Sequence, residues 1–324
     1  MATTTTNKKL LIGAAILVVG AAAGYGLYTR KGGVAGSALS SGRSNQSNLQ
    51  ELKRAQSLAV NTHLSSKTGQ AWKSHNFADL MAAFGVEKTA KENRDFFQAS
   101  IFVLDVAPPQ FKAEEKKDIE SLQHQIVTFL TQDAKVIGDL AQVHSYAAKT
   151  LVKLGTPTAE DLKHLEGFYK KSKDARKEII ADILIQTEPL SAEGKTILNK
   201  QLLSKNDVTQ GMQLLARVRD GEARKELFNK VYKNYSAYPA AVKPFVYKQL
   251  ALNHNLIQGD LKKHLVEAAK STDEKWEDSF LVAVQELDCV NEFVADIQRI
   301  QSQSQHPHLK MLAGAILAKD KGIK

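Results

Sequence analysis

The hydrophobic residues of this chain follow two patterns, one continuous and one periodic. Residues 10–27 form an uncharged run of apolar and small side chains, whereas from about residue 49 onward apolar positions recur every three or four residues. That spacing places side chains on one face of an α-helix. Helix-start signals divide the periodic part, as at Thr158 and Ser191, which each stand just before acidic residues. The pattern predicts an all-α body.

The helices of the body repeat at a nearly constant interval. Nine-residue windows with apolar first, fifth and ninth positions start 32 to 34 residues apart, at Val143, Ala175, Val208, Val242, Trp276 and Leu309. Another amphipathic stretch lies between successive windows. A pair of helices in a unit of about 33 residues buries its apolar faces by stacking on neighbouring units. We expect a right-handed α-solenoid, with an irregular helical bundle as the alternative.

The register of the windows also predicts which side chains are buried. Phe280 is the fifth residue of its window, so it should lie in the core. Glu277 and Asp278, which stand beside it in the sequence, should face solvent because they are charged.

The last window resembles the second helix of a HEAT-like repeat. Pro307 stands at the helix start, and the aliphatic–basic pair Leu309-Lys310 is followed by small and aliphatic residues, as in that family. Val242-Lys243 repeats the aliphatic–basic pair, whereas Trp276-Glu277 lacks the basic residue. The resemblance covers about residues 140–320. It implies a protein-binding superhelix and brings no catalytic residues with it.

The continuous apolar run is long enough to cross a membrane. Eighteen residues form a helix of roughly 27 Å, close to the roughly 30 Å of a bilayer core. Two lysines precede the run, and tyrosines and basic residues border its other end, as at membrane interfaces. We expect an uncleaved signal-anchor over residues 10–28, with a cleaved signal peptide as the alternative. The small-residue spacing of Gly20 and Gly24 favours close helix approach and predicts an anchor-mediated dimer.

The rest of the N-terminal region completes an arrangement of tail, anchor, tether and body. Residues 1–9 are a short tail, residues 29–75 a Gly/Ser-rich basic tether with a leading helix, and residues 76–324 the helical-repeat domain. Basic residues on both sides of the anchor compete for the cytoplasmic side, and the usual looped insertion favours a cytoplasmic tail. We therefore expect a single-pass protein of a bacterial inner membrane with its body in the periplasm.

The net charge of +9 belongs to the N-terminal region. Residues 1–75 contain nine Lys and Arg and one acid, whereas residues 76–324 contain 35 bases and 34 acids. Nucleic acid is therefore not an expected partner. Within the body, residues 195–263 contain thirteen bases and five acids, and residues 273–296 contain eight acids and one lysine. The candidate docking patch for an acidic protein partner consists of Arg217, Arg219, Arg224 and Lys225.

Motifs that carry catalytic or cofactor chemistry are missing from the sequence. The nine histidines form no His-Glu-x-x-His motif, and there is no nucleophile elbow, P-loop or dinucleotide fingerprint. The single cysteine, Cys289, adjoins apolar helix positions and is interpreted as a small core residue. We therefore assign no catalytic, cofactor-binding or metal residue and expect no catalysis.

These observations predict a membrane-anchored helical-repeat scaffold that binds protein partners at an envelope membrane. Two alternatives remain. One is an envelope-acting enzyme, or enzyme subunit, with a site between helices. The other is a protein that binds anionic polymers or lipid headgroups through the basic residues 195–263.

Overall fold

The computed structural model describes residues 62–132 and 139–320, and every regular element in those two ranges is helical. The prediction of an all-α protein is therefore confirmed for this part of the chain, while the predicted tail and anchor lie outside it. The α-helices, in chain order, are α1 Lys67–Lys73, α2 Phe77–Ala82, α3 Ala90–Val106, α4 Lys116–Thr131, α5 Asp139–Leu154, α6 Ala159–Lys171, α7 Arg176–Leu184, α8 Ala192–Leu202, α9 Val208–Leu215, α10 Gly221–Lys233, α11 Lys243–Leu252, α12 Leu265–Ala269, α13 Glu274–Glu286, α14 Val294–Gln303 and α15 Pro307–Asp320.

The chain divides into two compact units, and the first ends at Leu122, within α4. Its core contains Trp72 of α1, which is fully buried and donates from Nε1 to Ser100 Oγ of α3 over 3.0 Å. Helix α1 contacts both α2 and α3. The predicted domain boundary after residue 75 therefore separates α1 from the helices on which it packs.

In the second unit, the predicted windows coincide with every second helix. The windows fall on α5, α7, α9, α11, α13 and α15. Helix α5 contacts α7, and α9, α11, α13 and α15 contact one another in series. Among the intervening helices, α6, α8, α12 and α14 each pack on the helix that follows them in the chain. Within this unit, the helices therefore pack mainly on near neighbours in the sequence.

Side-chain hydrogen bonds between elements show a recurring separation along the sequence. Several of them join residues 29 to 32 positions apart, close to the interval between windows. They link Thr156 with Glu188, Leu190 with Asp220, Lys195 with Glu226, Arg224 with Asn253, Lys248 with Asp278 and Lys262 with Glu292. These contacts in the second unit therefore join positions about one helix pair apart, close to the interval of the apolar pattern.

The predicted register is shifted by one residue in α7. The window was placed on Ala175, which is exposed, whereas Arg176, Ile180 and Leu184 are buried. The cause is a buried arginine that hydropathy alone assigns to the surface. Arg176 donates from Nε and Nη2 to Asp174 Oδ2 over 3.0 and 2.6 Å, so its charge is compensated where it is buried.

Arg176 also connects parts of the unit that are distant in sequence. Its Nη1 donates to the Gln132 carbonyl oxygen over 2.6 Å, and its guanidinium lies 4.7 Å from the centre of the Phe168 ring. The guanidinium beside Asp174 lowers the pKa of that carboxyl to about 2. The ionised form of Asp174 is therefore favoured in the folded state.

This pair gives a prediction for acid unfolding. A carboxyl whose pKa is depressed on folding stabilises the protein above its unfolded pKa of about 3.9, and that contribution is lost as the pH falls toward 2. We expect Asp174→Asn to be less stable than wild type at pH 5, with the difference shrinking between about pH 4 and pH 2. Urea unfolding followed by circular dichroism across this range measures it. A difference that stays constant with pH would contradict the assignment.

Helix α13 confirms one burial prediction and overturns another. Phe280 is fully buried, as its window position predicts. Glu277 was expected to face solvent, and that prediction is wrong, because its side chain is only 1% exposed. Its Oε2 accepts a hydrogen bond of 2.6 Å from Ser304 Oγ, and its Oε1 lies 3.4 Å from Arg299 Nη1. Arg299 on α14 and Ser304 just after it therefore offset the cost of burying the Glu277 carboxylate.

Candidate docking surface

Helix α10 begins at a residue that joins two successive parts of the second unit. Asp220 is its N-cap, and Oδ1 accepts a hydrogen bond of 2.9 Å from the Ala223 backbone N–H. Its Oδ2 accepts one of the same length from the N–H of Leu190, in the connection before α8. These backbone donors lower the pKa of Asp220. The start of α10 is thereby fixed to the preceding helix pair.

The two faces of α10 have different chemistry. Leu227, Phe228 and Val231 are buried. Side chains three or four positions apart on the other face line an open groove of about 510 Å³: Glu222, Lys225, Glu226, Asn229, Lys230 and Lys233, with Gln258 on the opposite wall. Helical spacing collects these six residues on one side. The groove is the candidate docking surface.

The opposite wall of the groove is held to α10 by hydrogen bonds. Asn229 Nδ2 donates to the Leu256 carbonyl oxygen over 2.8 Å, and Asn229 Oδ1 accepts from the Gln258 N–H over 2.6 Å. Tyr232 donates from its hydroxyl to the Asp260 carbonyl oxygen over 3.1 Å. Gly259 lies so close to the Tyr232 ring that a Cβ atom there would overlap it. The backbone of residues 256–260 therefore has a defined position beside α10.

Three of the four residues of the predicted docking patch bind partners elsewhere in the second unit. Arg217 Nη1 donates to Asp182 Oδ1 of α7 over 2.7 Å, and Arg219 Nη1 donates to the Val152 carbonyl oxygen of α5 over 2.6 Å. Both arginines thus bind earlier helices. Arg224 Nη2 donates to Asn253 Oδ1, just after α11, over 2.8 Å. Lys225 is the member of the set that lines the groove.

Ion pairs across neighbouring helices account for part of the uneven charge of the sequence. Lys248 Nζ lies 2.6 Å from Asp278 Oδ2, and Lys262 Nζ lies 2.7 Å from Glu292 Oε1. These pairs join the basic residues 195–263 to the acidic residues 273–296. The groups involved are partly exposed, so screening by solvent leaves each pair only a small contribution to stability. Part of the basic excess is therefore matched within the molecule.

Sequence reasoning missed Lys230 and Lys233, which share the groove with Lys225. Lys230 is half-buried and donates from Nζ to Asn199 Oδ1 over 2.6 Å, while Lys233 is exposed. Residues 225, 229 and 233 are four positions apart. A helical projection of this segment would therefore have placed Lys225 and Lys233 on one face. The position of Gln258 in the groove could not be found by such a projection, because it depends on how the chain folds.

Cys289, His306 and His308 are potentially reactive side chains outside the groove, and their surroundings favour structural roles. Cys289 is buried, which raises the pKa of its thiol and keeps the thiol protonated at neutral pH. His306 Nδ1 and His308 Nε2 lie 3.7 and 3.6 Å from Glu274 Oε1. In residues 62–132 and 139–320, no three or more His, Cys, Asp or Glu side chains are grouped so as to hold a metal ion.

Within the same two ranges, no helix combines the length and hydrophobicity that a membrane span requires. Comparison with known proteins gives no further assignment, because no family model, curated protein or solved structure matches this chain.

Proposed function

We propose that this protein is a scaffold that binds other proteins, built as an α-solenoid and tethered to a membrane. The observation that carries the proposal is the common interval of about one helix pair in both the apolar windows and the side-chain bonds of the second unit. Helices that pack mainly on near neighbours give an elongated array with an extended surface. Proteins built in this way commonly use that surface to bind partners.

The membrane part of the proposal rests on the apolar run at residues 10–28. We place the protein in a bacterial inner membrane with a single span, its short tail in the cytoplasm and its helical body in the periplasm. Residues 29–48, the Gly/Ser-rich part of the tether, would give the body reach along the membrane surface. The HEAT-like resemblance supports a protein partner rather than a small-molecule substrate.

The anchor is tested by placing charge in the middle of the run. Replacing Ala14 and Val18 with arginine should move the protein out of the membrane fraction, because each charge at the bilayer centre costs about 2.5–3.5 kcal/mol on insertion scales. The matched control replaces the same two residues with leucine and should remain in the membrane. Alkaline carbonate extraction followed by fractionation measures the distribution. Full retention of the arginine variant would contradict a single span at this position.

The scaffold function is tested by proximity labelling of the full chain in its membrane. A labelling enzyme fused after Lys324 should enrich a discrete set of envelope proteins. The reference is the same enzyme fused directly to residues 1–61, which carry the anchor and most of the tether and end before α1. A protein set identical to that of the reference would contradict partner binding by the helical body.

A further inference from the structure

We propose that the groove along α10 binds an extended acidic segment of a partner protein, with carboxylates at alternate positions. The inference rests on the proposed function as a protein-binding scaffold and specifies the chemistry that it recognises. It is carried by the charges that line the groove, by their spacing along the helix and by the fixed opposite wall.

The groove contains more positive charge than its neighbours compensate. Lys225 and Lys233 form no ion pair with any acid in the described ranges, and Lys230 is bonded to the neutral amide of Asn199. Of the two acids in the lining, Glu226 is paired with Lys195 outside the groove at 2.7 Å. Glu222 stands at the helix start. Lys225 and Lys233 therefore line the groove without a paired carboxylate, and Lys230 lines it with its ammonium on a neutral amide. A partner that supplies carboxylates would match these charges.

The lysines are spaced for an extended chain. The helical rise of about 1.5 Å per residue puts Lys230 about 7.5 Å and Lys233 about 12 Å along the axis from Lys225. An extended peptide advances about 3.3 Å per residue, and alternate side chains point to the same side. Acids at positions i+2 and i+4 would therefore lie about 6.6 and 13 Å from an acid at position i. The longer distance matches the axial distance between Lys225 and Lys233. Lys230 lies between them along the axis, but about 140° around the helix from Lys225.

The opposite wall favours a peptide over a uniformly charged polymer. Asn229 and Tyr232 hold residues 256–260 in place, so little conformational entropy is lost in forming the groove. Gln258 on this wall offers a donor and an acceptor that suit a peptide backbone. The carboxylate of Glu222, which also lines the groove, would repel a polyanion that has negative charge at every position.

The test uses the full chain in nanodiscs and a fluorescent peptide in which three aspartates alternate with serines. We expect wild type to bind it more tightly than a peptide of the same composition with the three aspartates adjacent. Lys225→Glu with Lys233→Glu should weaken binding of the alternating peptide by about tenfold or more. The matched control, Lys200→Glu with Lys205→Glu, makes the same charge change at exposed positions outside the groove and should bind as wild type does.

Circular dichroism must show equal helix content in both variants before their affinities are compared. Equal affinity for the two peptides, equal loss in the two variants, or no binding would overturn the inference. So would stronger binding of inorganic polyphosphate or of anionic vesicles that is lost in the groove variant, because the ligand would then be a polyanion. If the peptide experiment failed but proximity labelling still depended on the helical body, the proposed scaffold function would stand.

Discussion

Replacing Phe280 with alanine is expected to lower the free energy of unfolding by about 3–5 kcal/mol. The side chain is fully buried on α13, and its ring meets that of Phe293 edge to face with 5.7 Å between centres. Truncation removes apolar contact and leaves a cavity between helices that pack on near neighbours. Urea unfolding followed by circular dichroism measures the loss.

The same helix supplies the control for this substitution. Asp278 is about a third exposed, and its carboxylate lies 2.6 Å from Lys248 Nζ. Asp278→Ala should cost at most about 1 kcal/mol, because an exposed pair contributes little. Equal losses for Phe280→Ala and Asp278→Ala would mean that the assigned face of α13 is wrong.

Replacing Glu277 with alanine is the second substitution for which a large effect is expected, about 3 kcal/mol. It would leave the guanidinium of Arg299 without its carboxylate and the hydroxyl of Ser304 without its acceptor. Since a quarter of the Arg299 side chain is exposed, water can compensate part of that charge, and the cost should lie at the lower end for a broken buried pair.

Two further variants separate the charge of Glu277 from its hydrogen bond. Ser304→Ala removes one hydrogen bond to the carboxylate and should cost about 1–3 kcal/mol. Glu277→Gln retains the volume and an acceptor for Ser304 but loses the charge opposite Arg299. If Glu277→Ala were tolerated as well as Asp278→Ala, the buried network would not form in solution.

The fold was predictable from the sequence as far as it depends on local periodicity. Apolar spacing located the helices α5, α7, α9, α11, α13 and α15, because residues on one helix face are neighbours in the sequence. The spacing placed Arg176 and Glu277 incorrectly, because each is buried through partners on other elements. The Gln132 carbonyl that binds Arg176 is 44 positions away, a pairing that no local pattern indicates.

The candidate site was predictable only in part, because the partners of its charged residues also lie on other elements. Clustering of basic residues drew attention to the start of α10, and one of the four residues in the predicted patch, Lys225, lines the groove. It gave equal weight to Arg217 and Arg219, whose guanidinium groups bind Asp182 and the Val152 carbonyl oxygen on earlier helices. Charge in a sequence shows how many ionic groups are available. Their partners are determined only when the helices pack.

The recurring separation of about thirty residues between bonded side chains also bears on how the second unit folds. Most partners of a helix are available once the next helix pair has been synthesised, so the entropy lost in closing each loop is small and folding should be rapid. Assembly can then proceed from the N-terminal side while the remainder of the chain is still being made. The hydrogen bond from Arg219 to Val152, which spans 67 positions, can form only after the helices between them have been synthesised.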